Sequence, residues 1–398
     1  MPEWVVKPLG ELCDELTVGH VGSMASEYVV SGIPFLRSQN VKRGYLDLNG
    51  LRYISTEFHQ KLKKSRLMPG DIVIVRTGEP GAAALIPDDF GELNCSDLVI
   101  ARPGKVVDPR FLCYSINSTA EHYISAHLVG AVQQHFNVGS ARKLQISLPP
   151  LSEQQAIAAV LGSLDDKIAV NGRIESTYEE ILRSRFAELQ IDVEPDISSA
   201  ISTSELVEFN PALKAPRDSD AIYLDMAAVP TDRATVSEWS RREPKSGTRF
   251  ANGDTVMARI TPCLENGKTA FIDFMGDGEV GIGSTEFIVM RARPGIPIHL
   301  PYFLARSPRF RSNAVQNMVG SSGRQRVAAG QLVDFPIARS NSEKLVEFGM
   351  TASAAFAHVR SLTDESRNLA ELRDTLLPKL MSGEIRVRDT EKVVEDVT

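Results

Sequence analysis

The chain has 398 residues, of which 42% are hydrophobic and 24% are charged, and its formal net charge is −7. This length favours two or more domains, and this composition argues against wholesale disorder. The sequence contains no run of 18 apolar residues, and its N-terminus lacks the features of a signal peptide. We therefore expect a cytoplasmic protein without a membrane span. The four cysteines are scattered and form no C-x-x-C pair, so we expect reduced thiols and no metal site.

Basic residues are clustered although the chain is acidic overall. Residues 37–66 hold eight Lys or Arg against Asp47 and Glu57, and residues 300–327 hold five Arg and no acid. Local patches set the affinity for phosphate, and the net charge does not. Either cluster alone is also compatible with an ordinary solvated face. The charge pattern therefore allows binding to DNA without requiring it.

From residue 67 onward the chain contains two copies of one pattern. A Gly-Asp turn, an apolar strand, an Arg and a Thr occur in LMPGDIVIVRTGEPGAAALI (67–86) and in RFANGDTVMARITPCLENGKTAFI (249–272). LNCSDLVIARPG (93–104) is similarly matched by GIGSTEFIVMRARPG (281–295). Because the order of the blocks is preserved, we interpret the chain as a duplication of one mixed α/β domain followed by a long helix.

The first long helix is expected to begin at Ser152, just after Pro149 and Pro150, and no further proline occurs before Pro195. Apolar residues recur at intervals of three and four, and Asn171 occupies the one gap in this series. The predicted seam of this helix consists of Ile157, Leu161, Leu164, Ile168, Ile174 and Tyr178.

The second long helix is expected to begin near Ser342, with Pro378 and a glycine turn at its end. Its predicted seam is Leu345, Phe348, Val359, Leu362, Leu369 and Leu372. A helix of about 37 residues is roughly 55 Å long, and its apolar stripe must be buried. The simplest partner is the other copy, packed antiparallel as a coiled coil. The alternative is that each helix packs only on its own domain.

The fold class predicted from these patterns is mixed α+β (α/β) with an internal pseudo-two-fold repeat. Two similar globular domains are separated by two long antiparallel coiled-coil helices. The predicted boundaries are 1–150 for the first domain, 151–195 for a central spacer helix, 196–340 for the second domain, and 341–398 for the C-terminal spacer helix and tail.

Several of these segments resemble the specificity subunits of Type I restriction-modification systems. ISLPPLSEQQAIAAVLGSLDDKI (146–168) resembles the central region of that family, and LRDTLLPKLMSGEIRV (372–387) is similar to its closing segment. GDIVIVRTG (70–78) and GDTVMARIT (253–261) resemble parts of its target recognition domains. The second copy departs from the pattern, because LVDFPIARSNSEKLVEF (332–348) lacks the Pro-Pro-Leu and Glu-Gln signature.

The resemblance implies a DNA-binding subunit that reads a bipartite, asymmetric target in double-stranded DNA. It also implies two modification (methyltransferase) subunits and ATP-dependent restriction (translocase/endonuclease) subunits as partners. S-adenosylmethionine, ATP and Mg are then expected in those subunits, and no cofactor is expected in this chain. The departure in the second copy leaves open whether the two methyltransferase docking surfaces are equivalent.

Base reading requires Arg, Lys, Asn, Gln or Ser side chains at groove depth. The candidates of the first domain are Arg37, Ser38, Gln39, Asn40, Lys42, Arg43, Arg76, Thr77, Gln133, Gln134, Asn137, Ser140, Arg142 and Lys143. Those of the second domain are Arg241, Arg242, Lys245, Arg259, Thr261, Ser321, Ser322, Arg324, Gln325 and Arg326. Each of them is equally compatible with a surface turn or a contact within the fold.

Enzymatic motifs are absent from the sequence. The nearest approach to the tetrapeptide of an adenine methyltransferase is Asn-Pro-Ala-Leu at 210–213, which fails, and no Walker phosphate loop occurs. We therefore expect a non-catalytic chain with no catalytic or metal-binding residues. Two other interpretations stay open: a recognition subunit of another bipartite restriction-modification system, and a helical scaffold that does not read DNA.

Overall fold

A computed structural model of the chain describes residues 4–127, 136–214, 220–321 and 323–390. The chain forms two compact units: residues 1–167 with 369–398, and residues 168–368. Each unit contains one mixed α/β domain and a segment of each long helix. The boundaries of these units lie inside the long helices, whereas the boundaries expected from the sequence lie at helix ends.

The first domain is built on two sheets. Strands β10-β9-β12-β2 form an antiparallel sheet, and β3-β7-β4-β11-β8 form a second sheet in which β4 and β11 run parallel. Strand β1 pairs with β13, and β5 with β6. The strands are β1 (Val5–Pro8), β2 (Cys13–Val18), β3 (Tyr28–Val29), β4 (Ile33–Leu36), β5 (Val41–Lys42), β6 (Tyr45–Leu46), β7 (Arg52–Ile54), β8 (Arg66–Leu67), β9 (Ile72–Val75), β10 (Ala83–Leu85), β11 (Leu93–Cys95), β12 (Leu98–Pro103) and β13 (Gln145–Leu148). The helices are α1 (Leu9–Leu12), α2 (Thr56–Lys61), α3 (Pro109–His127) and α4 (Val138–Lys143).

The second domain repeats this topology. Strands β20-β19-β22-β15 form an antiparallel sheet, and β17-β16-β21-β18 form a sheet in which β16 and β21 run parallel. Strand β14 pairs with β23. The strands are β14 (Ile201–Ser202), β15 (Val207–Phe209), β16 (Ala221–Leu224), β17 (Ser240–Arg242), β18 (Thr248–Phe250), β19 (Asp254–Ala258), β20 (Thr269–Phe271), β21 (Gly281–Gly283), β22 (Phe287–Ala292) and β23 (Pro336–Ile337). The helices are α6 (Leu300–Arg306), α7 (Pro308–Gln316) and α8 (Gly330–Val333), and the long helices are α5 (Leu151–Glu188) and α9 (Ser342–Ser382). The predicted duplication and the mixed α+β class are therefore confirmed.

The repeated Gly-Asp turn has a structural role. Gly70 and Gly253 have φ of 85° and 86°, a conformation that glycine adopts without strain. In the second domain, Oδ2 of Asp254 accepts a hydrogen bond from the Ala251 amide, and the same carboxylate pairs with Arg291 at 2.6 and 2.7 Å. Asp71 accepts the matching bond from Met68 and lies 3.5 Å from Arg102. The turn and the ion pair together fix the start of each central strand.

The two long helices run antiparallel inside the second unit. Nδ2 of Asn171 donates to Glu365 at 2.7 Å and to Ser366 at 3.1 Å, whereas Tyr178 Oη lies 3.0 Å from His358 Nδ1. As residue numbers increase along α5, the numbers of their contact residues on α9 decrease, so the two helices are antiparallel. Asn171 is the one predicted gap in the apolar series of α5, and it is buried against polar groups of α9. A polar layer at this point favours one register of the pair.

Helix α9 also packs on its own domain. The ring of Phe186 on α5 lies 6.0 Å from Phe303 on α6 and 6.1 Å from Phe348 on α9. The apolar stripe of α9 in the second unit is thus buried both against α5 and against the second domain. The two arrangements that the sequence left as alternatives occur together. Of the predicted seam, the buried members are Ile157, Leu161, Leu164, Phe348, Val359 and Leu369, and the half-buried ones are Ile168, Ile174, Tyr178, Leu345, Leu362 and Leu372.

The helix ends differ slightly from the expectation. Helix α5 begins at Leu151, so Ser152 lies inside it, and the side chain of Gln154 bridges the Asp108 amide and the Pro149 carbonyl. Helix α9 continues through Pro378 to Ser382. The predicted glycine turn follows at Gly383, which has a φ of 71°. The amides of Gly383 and Glu384 there donate to the carbonyls of Leu380 and Lys379, as a Schellman motif requires. No helix in the described ranges combines the length and the apolar content of a membrane span.

Buried His299 makes the stability of the second unit depend on pH. Its ring is 3% exposed and lies between Phe271 and Phe356, with centroids at 4.6 and 4.3 Å. Burial lowers the pKa of His299 from 6.5 to about 4. Between these values the His299 ring is protonated in the unfolded chain and neutral in the folded chain, so the contribution of His299 to the free energy of unfolding decreases as the pH falls.

We predict that His299 contributes a loss of about 1.6 kcal/mol between pH 6.5 and pH 5 and that this contribution is absent in His299→Phe. Denaturant unfolding of the wild-type chain and of His299→Phe at several pH values measures the difference. An unchanged slope in His299→Phe would contradict the assignment.

Candidate nucleic-acid interface

The first candidate segment, residues 37–43, is held by its own side chains. Asn40 is fully buried: its Oδ1 accepts from the Arg37 amide at 3.1 Å, and its Nδ2 donates to the Asp47 carbonyl at 2.9 Å. Arg37 donates to the Gly50 carbonyl at 2.6 Å, and Arg43 donates to the Asn117 carbonyl at 3.1 Å. Asn40 therefore shapes the segment, whereas Gln39 is exposed and Ser38 and Lys42 are half-buried.

A second group in the first domain lies at the end of β9. Arg76 forms an ion pair with Asp97, and its carbonyl accepts from the Phe136 amide at 3.0 Å. Asn137 caps α4 by accepting from the Ser140 amide at 3.0 Å. The hydrogen bond from the Phe136 amide therefore places Phe136, just before α4, beside Arg76 and half-buried Thr77. Arg142 and Lys143 are exposed on α4, and Ser140 is half-buried. Gln133 and Gln134 lie outside the described residues.

In the second domain the structure brings two candidate segments together. Ile260 and Val319 each form an isolated bridge with Arg326. The Thr261 amide donates to the Gln325 carbonyl at 3.0 Å, and the Val327 amide donates to the Arg259 carbonyl at 3.0 Å. The end of β19 and residues 319–327 therefore form one surface, on which Ser321 and Arg324 are exposed and Gln325 is half-buried. Ser322 lies outside the described residues.

One carboxylate organises that surface. Glu286 accepts hydrogen bonds from Arg326 at 2.7 and 2.9 Å. These bonds hold the pKa of Glu286 below its ordinary value, and the charge of Arg259 acts in the same direction. The strand register places Glu286 beside Arg259, as it places Asp97 beside Arg76. Asp97, which follows Ser96, and Glu286, which follows Thr285, are thus internal partners of candidate arginines. The sequence patterns alone did not indicate this role.

The third group of the second domain lies on strand β17 and the residues that follow it. Arg241 pairs with Glu279 at 2.8 Å and donates to the Asp220 carbonyl at 3.2 Å. The guanidinium of Arg242 instead lies 3.0 Å from the centroid of the Tyr223 ring. Lys245 is exposed. The contacts of these side chains link them to strand β16, so the group is distinct from the 259–261 and 319–327 surface.

Each domain is anchored to α5 by a tyrosine and an arginine four residues apart. In the first unit, Oη of Tyr114 donates to Asp165, and Arg110 pairs with Asp166. Arg373 of α9 reaches the same Asp165 at 2.8 Å. Burial raises the pKa of Tyr114 well above its ordinary value. The hydroxyl therefore stays protonated and acts as the donor.

The second unit reverses the order of the two residues. Oη of buried Tyr302 donates to Glu179 at 2.9 Å, and Arg306 lies 3.7 Å from the same carboxylate. Burial raises the pKa of Tyr302 as well. Sequence reasoning missed these contacts, because the acids of α5 lie outside its apolar seam. Both 109–118 and 300–308 contain an Arg and a Tyr four residues apart, a spacing that could have pointed to these contacts.

Metal chemistry finds no support in the described residues, since they contain no group of three or more His, Cys, Asp or Glu side chains arranged to hold an ion. The site consists of loops and strand ends that carry cationic and amide side chains. Such groups can bind phosphate and read base edges.

Comparison with known proteins finds similarity to one family over the first part of the chain. Residues 1–180 match the family described as Type I restriction modification DNA specificity domain. The specificity subunits of the Type I restriction enzymes EcoEI and EcoAI, both from Escherichia coli, are 35% and 33% identical over 147 and 142 residues. The first 180 residues of the chain are thus similar to the family of Type I specificity subunits. The matches cover 34% and 33% of this chain and 24% and 23% of those two proteins, so the chain spans about a quarter of the length of these relatives.

A solved structure supports the fold over most of the chain. The crystal structure of the Type I restriction-modification system S subunit from M. genitalium matches with a TM-score of 0.53 and 15% identity. The match covers 95% of this chain and 96% of that one. At this identity, the likeness concerns the fold alone.

The anchoring contacts generate a stability prediction. In Tyr302→Phe, the buried carboxylate of Glu179 loses one hydrogen bond, so the free energy of unfolding should fall by about 1–2 kcal/mol. Tyr178→Phe removes a hydroxyl of a half-exposed ring and serves as the matched control, with an expected loss below about 0.5 kcal/mol. Denaturant unfolding of both variants measures the difference, and equal losses would argue against a role for the Tyr302 hydroxyl in anchoring.

Proposed function

We propose that this chain is the non-catalytic, sequence-reading subunit of a Type I complex and that each domain binds one half of a split double-stranded DNA target. The observation that carries the proposal is the repetition of one strand order in two domains whose loop residues differ. Two copies of one fold suit DNA, whose strands are related by local two-fold axes. Different side chains at matched loops give different half-sites, so the target is asymmetric.

The matched loops carry different reading chemistry. The first domain presents Asn137, Ser140 and Arg142 after Phe136, whereas the second presents Arg324 and Gln325 beside Thr261. Arginine favours guanine and the amide side chains favour adenine in the major groove. The exposed cations contribute affinity for phosphate that carries no sequence information. We expect half-sites about one helical turn apart, as in other bipartite readers.

The long helices are the proposed docking site for two modification subunits. Val170, Ile174, Tyr178 and Ile181 of α5, together with Arg173 and Thr177, line a groove of about 420 Å³ in the second unit. Val170 and Ile181 are 38% and 48% exposed. Exposed apolar side chains beside a groove support a protein interface here. Methyl transfer and ATP-driven cleavage are then performed by modification and restriction subunits, which supply S-adenosylmethionine, ATP and Mg chemistry.

The proposal is tested by mapping methylated adenines in a host that carries this gene with its modification-subunit gene. We expect a split motif of two short half-sites, one methylated adenine in each. A host with the modification gene alone is the control. Absence of methylation that depends on this chain would favour a scaffold, and methylation together with cleavage by a single copurifying partner chain would indicate another bipartite system.

Exchange of one domain tests the division of labour. Replacing residues 1–150 with the first domain of another specificity subunit should change one half-site and leave the other intact, because each domain has its own sheets and core. The reciprocal exchange of residues 196–340 is the matched control and should change the other half-site. Alteration of both half-sites by a single exchange would refute modular reading.

Arg324 is the strongest base-reading candidate of the second domain, because it is exposed on the organised loop and Arg326 is engaged by Glu286. Arg324→Ala should relax specificity at one position of one half-site, at a cost of about 1–3 kcal/mol in binding. Quantitative binding to a set of single-base variants of the mapped target measures this. A uniform loss over all sequences would instead identify Arg324 as a phosphate contact. The control, Lys344→Gln, removes one exposed charge from α9 and should leave specificity unchanged.

A further inference from the structure

The two domains differ at one face of the sheet that contains the parallel strand pair. Strand pairing equates Ile33, Phe35 and Ile54 of the first domain with Ala221, Tyr223 and Arg242 of the second, because Ile33 pairs with Ile54 and Ala221 with Arg242. The parallel neighbours fix the register, since Phe35 faces Asn94 and Tyr223 faces Ile282. One face of the fold can therefore be compared residue by residue.

In the first domain this face is a closed apolar cluster. Phe35 and Ile54 are fully buried and pack with Met24, while Tyr28 and Phe58 cover them from β3 and α2. The fold thus fills the face with its own side chains.

In the second domain the same face borders an open cavity of about 350 Å³. Ala221 replaces an isoleucine and leaves room, Tyr223 replaces a phenylalanine, and Arg242 replaces a fully buried isoleucine. The remaining walls come from Ile222, Glu243, Pro244, Lys245, Ser246 and Ile282. This volume lies in the range of small-ligand sites. The apolar cluster of the first domain is thus replaced by a cavity whose lining includes an aromatic ring, two cations and one carboxylate.

The charges of the cavity are available to a ligand. Arg241, which precedes Arg242, is engaged by Glu279 and by the Asp220 carbonyl. The Arg242 guanidinium carbon lies over the Tyr223 ring, and none of the residues that the structure describes forms an ion pair with Arg242 or Lys245. A guanidinium stacked on an aromatic ring presents its second face to a further planar group. Lys245 is a point charge that suits phosphate.

We infer that this cavity binds one unpaired nucleotide, with its base stacked on the Arg242–Tyr223 pair and its phosphate on Lys245. The inference deepens the proposed function and rests on it for the source of the nucleotide, a strand of the bound DNA. A nucleotide extruded from a duplex and a free nucleotide share this chemistry, and proteins hold extruded bases by stacking in fitted pockets.

The test uses the full chain and a single-stranded oligonucleotide that contains 5-iododeoxyuridine. Irradiation should cross-link the oligonucleotide to the peptide that contains Tyr223, as mapped by mass spectrometry. Arg242→Ile introduces the residue of the first domain at this position. The variant should lower the cross-linking yield by roughly tenfold, because an aliphatic side chain replaces the planar guanidinium on which the base stacks. Lys344→Gln is the matched control and should keep the yield. The unfolding temperatures of all three proteins show that they are folded.

Competition with adenosine monophosphate or inorganic phosphate identifies the kind of ligand that the cavity accepts. A cross-link that adenosine monophosphate does not compete away supports a DNA strand as the source, and competition by adenosine monophosphate supports a nucleotide site that also accepts the free ligand. Equal competition by inorganic phosphate would overturn the inference in favour of a simple anion site. Absence of the Tyr223 cross-link, or an equal yield in Arg242→Ile, would also overturn it.

Duplex binding, measured in parallel, separates this inference from the proposed function. If the wild-type chain binds its duplex target but gives no Tyr223 cross-link, only the cavity assignment fails. If it binds no DNA of any kind, the proposed function fails as well.

Discussion

Burial of the apolar stripes of α5 and α9 is the constraint on which the rest of the structure depends. Neither helix can persist alone in water with such a stripe exposed, because most helical stability in proteins comes from packing. In the second unit the stripes meet each other and also the aromatic side chains of α6. The helix pair is therefore continuous with the core of the second domain.

Polar contacts determine the orientation of each domain on α5, which apolar packing alone specifies weakly. Apolar surfaces are non-directional, so they determine that a domain packs on α5 but specify its orientation weakly. Tyr114 with Asp165 and Tyr302 with Glu179 add directional hydrogen bonds, and the reversed order of Tyr and Arg shows that the pair matters more than its sequence order. A similar logic holds on the candidate interface, where Glu286 gathers Arg326 and Arg259 at one strand end.

The site residues illustrate how far sequence patterns reach. Basic and amide residues in matched loops define a candidate interface. They did not separate Asn40, whose side chain is buried inside its own loop, from Arg324, whose side chain is exposed. That difference depends on backbone groups such as the Asp47 carbonyl, which come close only when the chain folds. The open cavity beside Tyr223 was also invisible, because its meaning comes from a strand register that aligns Arg242 with Ile54.

The sequence by itself determined the duplication, the mixed α+β class, the two long helices and the resemblance to specificity subunits. These features follow from local periodicity and from the order of motifs, both of which are written along the chain. Only the tertiary structure decided which arginines serve the fold, which carboxylates anchor each domain to α5, and which sheet face stays open. Those outcomes depend on residues far apart in sequence whose contacts are set by strand register and helix packing.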